Sequence, residues 1–402
     1  MPSKFPNFIL ICIIVTGLLV GVFLFSLNPQ SGFKNDFIAL SSNPALPEDS
    51  FPTRAPIDPD ILAGRTFLPH TPIEIAKNAD FNVTNGVTAG DGSAGDPFII
   101  EGWNITISNV TGIYIHDTSD YFVIQDCFLN GNWTSTAGGI YIENVASSTA
   151  NVTSNICIYM GNVAIMISGS TAAHVTSNYC EGNSQPLEVD GSDNINVSHN
   201  IYNDHSWGVE ISSTNFLIFY NNTVNESFFG GVEIFACSSP LLENNTISRN
   251  GYWGISLTGG CDNLRLINNT FTDDGLFTMW GYDTLVNADL IADNLINGKP
   301  LGIFIGVQDL SVPSSYGQVF LINCTNVTVE NQNCSSSSMG IALYECKDCQ
   351  IKNNTCSNND QFGVYAYNSN GTIIKNNTLN GDWTGVRLWE SNYTTIYNNT
   401  MK

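Results

Sequence analysis

Residues 208–257 read GVEISSTNFLIFYNNTVNESFFGGVEIFACSSPLLENNTISRNGYWGISL. Gly208-Val209-Glu210-Ile211 returns as Gly231-Val232-Glu233-Ile234 and again as Gly254-Ile255-Ser256-Leu257. Within the first copy a second alternating pair follows, Leu217 and Phe219, and then the doublet Asn221-Asn222. Short bursts of period-two alternation are the signature of strands with one buried face. A unit of about 22 to 23 residues that repeats this way cannot bury its apolar face alone, so it stacks on its copies as the rung of a solenoid.

Outward from this stretch the rung recurs as Gly112-Ile113-Tyr114-Ile115, Gly139-Ile140-Tyr141-Ile142, Gly340-Ile341-Ala342-Leu343, Gly363-Val364-Tyr365-Ala366 and Gly385-Val386-Arg387-Leu388. Ile165 and Leu187 keep the register without the glycine. The second pair recurs at Tyr121/Val123, Ile195/Val197, Leu264/Leu266 and Val327/Val329. An asparagine column follows at Asn155, Asn178, Asn200, Asn222, Asn245, Asn269, Asn354, Asn377 and Asn399, with Asp126 in the equivalent place of an early rung. Parallel stacking sets like residues ~4.8 Å apart. The amides of such a column bond to their neighbours above and below and satisfy the bent backbone of a corner, so the column is a structural ladder rather than a site.

The predicted fold is all-β, a right-handed parallel β-helix with three strands and three corners per coil. It occupies 66–402, with an atypical opening segment at 66–111 and an insertion at about 275–316 where the pattern breaks. Residues 1–27 read as a signal anchor or transmembrane helix, because Phe8 to Leu27 is an apolar run long enough to cross a bilayer. Lys4 precedes it and no basic cluster follows, which places the rest of the chain outside. No small-x-small cleavage site follows Leu27, which favours an uncleaved anchor over a removed signal peptide. Residues 28–65, rich in Pro, Ser and Asp, read as a flexible linker.

The net charge is −23 with 13 Lys and Arg, a balance that repels nucleic acid and excludes it as a partner. Cysteines fall in register on neighbouring rungs as Cys157/Cys180, Cys237/Cys261, Cys324/Cys346 and Cys334/Cys356. Stacked spacing admits disulfides, and it equally suits thiols that fill the core. Cys127 and Cys349 lack partners by this register. No Cys/His/Met cluster points to a metal. Asn-x-Thr sequons such as Asn221 to Thr223 coincide with the corners; Asn82, Asn104, Asn132 and Asn196 are the better acceptors for a glycoprotein.

Chemistry is sought on the outward face of the first strand. Carrying the register down the stack gives Tyr114, Tyr141, Met166, Glu188, Glu210, Glu233 and Ser256, then Ala342, Tyr365 and Arg387. A second outward column runs through His116, Glu143, Asp190, Phe235 and Thr258 to Tyr344, Tyr367 and Trp389. Glu188, Glu210 and Glu233 form an acidic stripe with Asp190 beside it. Like charges so close must share a proton, take a cation such as Ca²⁺, or face open water. With His205 these four are the candidate catalytic residues. Tyr344, Tyr365, Tyr367, Trp389 and Trp207 are candidate sugar platforms.

The opening segment, the Asn297-Gly298-Lys299-Pro300-Leu301 insertion and the Asn-Asn-Thr rungs together resemble archaeal surface proteins of the NosD-like periplasmic copper-binding, carbohydrate-binding and sugar-hydrolase β-helix family. The resemblance covers about Pro69 to Lys402 and implies a right-handed β-helix outside the cytoplasm. Its copper label finds no donor cluster in these residues. Three functions stand, in this order: a membrane-anchored surface protein binding glycan or cell-envelope polymer, a carbohydrate-active enzyme using the acidic groove, and a metal-handling accessory protein.

Overall fold

The computed structural model describes residues 59–402 except 134–135 and 280. The apolar run Phe8–Leu27 and most of the linker lie outside the described residues. The chain is an all-β parallel solenoid of about 13 turns with about 23 residues per turn. Each turn contributes up to three short strands, and the strands form long sheets running along the axis.

The first sheet holds nine strands, from Ile73–Ile75 through Ile113–His116, Ile140–Glu143, Val163–Ser168, Gln185–Asp190, Val209–Ser212, Val232–Phe235 and Ile255–Thr258 to Leu276–Phe277. The predicted registers hold along it: Ile165 pairs with Leu187, and Glu210 lies between Glu188 and Glu233. Inward residues such as Ile140, Ile165, Val232 and Ile255 are fully buried. Burying such an aliphatic side chain contributes about 1.5–3 kcal/mol, so every rung adds core without a helix or a second layer.

The corners explain the Asn-Asn-Thr motif. Asn221, Asn244, Asn353 and Asn376 have φ of 52°, 60°, 57° and 56°, the left-handed conformation that asparagine tolerates best among residues with a side chain. The second asparagine of each doublet turns inward. The Asn200 backbone N–H donates to Asn222 Oδ1 (2.9 Å), the Asn222 N–H to Asn245 Oδ1 (2.9 Å), and Asn222 Nδ2 to the Val197 carbonyl (2.9 Å). The ladder runs from Asn155 through Asn178 and Asn269, and extends one rung further than predicted, to Asn294. In the sequon at 221–223 the first asparagine, Asn221, is exposed and left-handed, and the ladder residue Asn222 is buried.

Two expectations about register are corrected. In the early coil the corner after Ile115 is one residue longer than its counterpart after Ile211, so Phe122 and Ile124 point inward rather than Tyr121 and Val123. Cys127, not Asp126, takes the ladder position, with its N–H donating to Asn155 Oδ1 (3.1 Å). A one-residue slip exchanges the two faces of a strand.

The larger correction concerns 275–316. Leu276–Phe277, Leu290–Ala292 and Leu295–Ile296 still extend the three sheets, with the short helix Tyr282–Val286 inserted between the first two of these strands. The chain then turns at Asn297-Gly298, both with positive φ, and Lys299–Ile305 pairs antiparallel to Leu295–Ile296. Strand polarity reverses there. Gln318–Ile322, Met339–Tyr344, Phe362–Tyr367 and Thr384–Trp389 stack parallel on Lys299–Ile305 as a second block of coils with the new direction. This block has its own core of Val319, Leu321, Ile341, Leu343, Val364 and Ala366. It has its own ladder as well, from Gln332 through Asn354 and Asn377 to Asn399.

The first-strand columns consequently do not run from Ser256 to Ala342. The alternate residues of the second block's strands, Phe320, Ala342, Tyr344 and Tyr365, pack against the end of the first block. Tyr344 stacks on Tyr282 with ring centroids 4.8 Å apart, and its hydroxyl donates to the Thr278 carbonyl (2.9 Å). Gln318 exchanges hydrogen bonds with the Leu276 backbone. The second block caps the first.

The start of the described chain is ordered against the solenoid, where a flexible linker was expected as far as residue 65. Pro59–Leu62 forms a helical turn, and Ile61, Leu62 and Phe67 pack beside Ile156, Ile158 and Tyr159. Arg65 Nη1 donates to the Ser154 carbonyl (2.9 Å). The described cysteines are all buried free thiols. Cys157 and Cys180 are register partners, and Cys349, unpaired by the sequence register, lies against Cys346.

Candidate functional site

Strand alternation sends Val209, Ile211, Val232 and Ile234 into the core and leaves Glu210 and Glu233 on the outer face of the first sheet. Just before each strand the corner ends in glycine. A Cβ on Gly208 would lie 2.0 Å from the Gly231 carbonyl oxygen, and one on Gly230 would lie 2.3 Å from Trp253 Nε1. These positions stay without side chains because backbone and indole already fill the space. The result is a shallow trench lined by Gln185, Trp207, Gly208, Glu210, Glu233 and Trp253 with the glycines of the 230–231 corner.

Carboxylates form one wall of the trench. Gln185 Nε2 donates to Glu210 Oε2 (3.4 Å) and Thr258 Oγ1 to Glu233 Oε1 (2.9 Å). Asp190 stands in the adjoining outward column and accepts from Ser212 Oγ (2.7 Å). Partial desolvation by the surrounding walls, followed by the charges of Glu188 and Glu233, raises the Glu210 carboxyl above the ordinary range. Glu188 is raised by burial and by Asp190.

The indoles of Trp207 and Trp253 also line the trench, and further rings back them. Trp207 stacks on Phe229 (4.2 Å), Phe229 approaches Tyr252 (5.9 Å), and Trp253 stacks on Phe277 (5.7 Å). Tyr252 meets Trp383 of the second block edge to face (5.9 Å). Trp207 begins this stack, since the N–H of Trp207 bonds to the carbonyl of Ser184, a small residue on the preceding rung. Of these rings only Trp207 was singled out from the sequence. Phe229, Tyr252 and Trp253 carry a readable signal, an aromatic residue one or two positions before the rung glycine on successive coils.

Five candidates leave the site. Tyr344 and Tyr365 are fully buried where the cap packs on the first block and present no face to solvent. His205 is also fully buried, with Nδ1 accepting from the Asn183 N–H (3.1 Å), and desolvation lowers its pKa to about 3. It is a neutral member of a second corner ladder that includes Asn183, Asn250 and Asp274. Tyr367 and Trp389 are half-buried at the rim of the cap, away from the trench.

Further along the same sheet, towards the amino-terminal end, lies a group that the sequence reading passed over. The Tyr114 hydroxyl donates to the Glu143 carboxylate, which raises the phenol to about 12. The His116 ring stacks on Tyr114 (4.4 Å) and faces Asp117 (2.9 Å) and Glu74 (3.8 Å). Among the described residues no three His, Cys, Asp or Glu side chains are grouped to hold a metal ion. The donor set for the copper implied by the resemblance is therefore lacking there.

A stack of coils with inward aliphatics and amide ladders defines a parallel β-helix protein. The chain belongs to the right-handed beta helix region family, whose model matches residues 73–224, 138–291 and 207–401. It is similar to the A-module of a mannuronan C-5 epimerase from Azotobacter vinelandii, at 13% identity over 85% of this chain and 91% of that one, with a TM-score of 0.35. It is also similar to a hyperthermoactive exopolygalacturonase from Thermotoga maritima, at 10% identity over 83% and 80%, with a TM-score of 0.39. A third is the catalytic unit of an α-1,3-glucanase from Streptomyces thermodiastaticus, at 11% identity over 76% and 62%, with a TM-score of 0.35. No curated protein matches the chain.

Proposed function

We propose that this β-helix binds a glycan along the outer face of its first sheet, with the trench between Trp207, Trp253, Glu210 and Glu233 as the central subsite. The observation that carries the reading is that aromatic rings, side-chain-free glycine positions and hydrogen-bonding carboxylates meet in one trench. Aromatic faces take the apolar face of a pyranose, and carboxylates accept from its hydroxyls. With Phe8–Leu27 as an anchor, the trench is displayed outside the cell on a single-pass protein.

A second reading rests on Glu210 alone. A carboxyl held above its ordinary range, one rung from a second carboxylate, has the spacing of ~5 Å that retaining glycoside hydrolysis uses. A glycan array on the full chain, followed by turnover assays on each hit, separates the two. For the binding function, Trp207→Ala weakens the best hit at least tenfold, while Glu210→Gln and Glu233→Gln change affinity without any turnover to lose. Turnover abolished by either Gln variant converts the assignment to a hydrolase, and an array without hits removes both.

A further inference from the structure

The corner between the second and third sheets carries a pattern that neither the ladder nor the strands require. The residue just before each ladder position, from Asp126 to Asp293 in the first block and from Asn331 to Asn398 in the second, is left-handed with φ between 48° and 60°. Where that residue is Asp126, Ser154, Ser177, His199 or Asp293, the one two positions on is Phe128, Ile156, Tyr179, Ile201 or Leu295. Where it is Asn221, Asn244 or Asn268, the one two positions on is Thr223, Thr246 or Thr270. The second block pairs Asn353 with Thr355, Asn376 with Thr378 and Asn398 with Thr400, and departs from the rule at Asn331, which is followed by Asn333.

Each half of the pattern has a conformational cause. Asparagine suits the left-handed region, and a β-branched threonine suits a strand. Neither cause links the two. Tyr179, Ile201, Thr223 and Thr246 are successive register partners on the third sheet, so one strand position accepts an aromatic, an aliphatic or a threonine. The left-handed position likewise accepts Ser177 and His199. Copying of a rung would also have kept the residue before the doublet, which is instead Tyr220, Glu243, Ile267, Lys352, Lys375 and Tyr397 in turn. The asparagine and its threonine are kept together while their neighbour changes.

What links an asparagine to a threonine two positions later is the acceptor sequence for N-linked sugar. We propose that this corner column carries N-linked glycans, on Asn221, Asn244 and Asn268 in the first block and on Asn353, Asn376 and Asn398 in the second. The inference rests on the display of the chain outside the cell, not on what the trench binds. The donor is an oligosaccharide carried on a lipid phosphate and presented by a membrane transferase. Asparagine Nδ2 bonds to C1 of the sugar, the bond from C1 to the phosphate oxygen breaks, one amide proton is released, and the lipid phosphate leaves.

The placement of the column fits that chemistry. Asn244 is half-buried and the other five acceptors are exposed, whereas the ladder residues Asn222, Asn245, Asn269, Asn354 and Asn377 beside them are buried. Asn268 Nδ2 donates to Asn244 Oδ1 (2.5 Å), a bond that the proton left on a substituted amide can keep. Two other sequons hide their hydroxyl residue, Ser198 after Asn196 and Ser227 after Asn225. The column also avoids the binding face: Asn221 joins Ile218–Tyr220 of the second sheet to Thr223–Asn225 of the third, so sugars there leave the trench of the first sheet uncovered.

The test recovers the full chain from its own cells and maps sugar masses on its peptides. Intact cells are first treated with a membrane-impermeant amine reagent, which labels the exposed Lys77 only if the solenoid faces outward. Neighbouring acceptors stand one rung, ~4.8 Å, apart and crowd each other's sugars, so glycan is expected on at least one acceptor in each run of three. The Thr223→Ser/Thr246→Ser/Thr270→Ser variant is expected to keep the first-block sugars. The Thr223→Val/Thr246→Val/Thr270→Val variant, which keeps the β-branch and an unchanged circular dichroism spectrum, is expected to lose all of them. First-block sugar that survives in the Val variant overturns the column. Sugar confined to Asn82, Asn104, Asn132 and Asn196, or absent from an outward-facing chain, overturns the proposal and leaves the glycan-binding reading to its array. A chain bare of sugar whose Lys77 is shielded in intact cells overturns the outward display and the proposal together.

Discussion

The two blocks of this solenoid are written in the same repeat and use its outward face in opposite ways. In the first block Glu210 is exposed and Tyr114, Tyr141, Glu188 and Glu233 are half-buried on the outer face of the sheet. In the second, Phe320, Ala342, Tyr344 and Tyr365 on the alternate positions of equivalent strands are fully buried. The inward positions do not differ: Val232 and Ile255 in one block and Ile341 and Val364 in the other fill cores of the same kind. An inward residue answers to its own coil, whereas an outward residue answers to whatever is laid across it.

The contrast breaks most sharply at the cap. Tyr344→Ala removes the stack on Tyr282 and the bond to the Thr278 carbonyl and leaves a cavity between the blocks. It is expected to cost ~3–5 kcal/mol in denaturant unfolding. Tyr141→Ala, half-buried on the outer face, is expected to cost less, ~1–2 kcal/mol, and equal losses would mean that the second block does not cover the first.

The ladders should erase the contrast, because they face inward in both blocks. Asn222→Ala leaves the Asn200 N–H and the Val197 carbonyl without their partners, and Asn354→Ala does the same to Gln332 and Val329. Each is expected to cost ~2–4 kcal/mol, from about 1–3 per orphaned buried group. A large loss in one block and none in the other would show that the two corners are built differently.

A smaller effect sharpens the seam. Asp360, in the second block, is raised to about 7 by burial and by the charge of Asp273 in the first. Burial raises Asp382 to about 6 and lifts Asp274 as well. A carboxyl whose folded pKa is raised stabilises the protein fully below its unfolded pKa, and that contribution is lost as pH climbs to the folded value. Stability should therefore decline from about pH 4 to about pH 7. Asp360→Asn should flatten that slope by on the order of 1 kcal/mol, allowing for its partial exposure. An unchanged slope in unfolding titrations would place the linkage elsewhere.

Much of this was legible in the residues. Ile140, Val209, Val232 and the ladder from Asn155 to Asn269 declare their inward orientation by period alone, and so do Glu210 and Glu233 their outward one. His205 was misread because a corner ladder accepts any side chain that can receive a backbone N–H, and an imidazole nitrogen does so as well as an amide oxygen. Trp253 escaped notice because its partner Gly230 lies 23 residues earlier, and only stacking brings an indole over that missing Cβ.

The repeat, its period, the identity of the core and the acidic stripe follow from the sequence, because each depends on alternation within a strand and on copies one rung apart. The reversal of strand direction at Asn297-Gly298, the burial of Tyr344 and Tyr365 and the convergence of Trp207, Trp253, Glu210 and Glu233 belong to the tertiary structure. Period describes which side of a strand a residue takes, but what covers that side is settled by contacts between coils and blocks that no local pattern encodes.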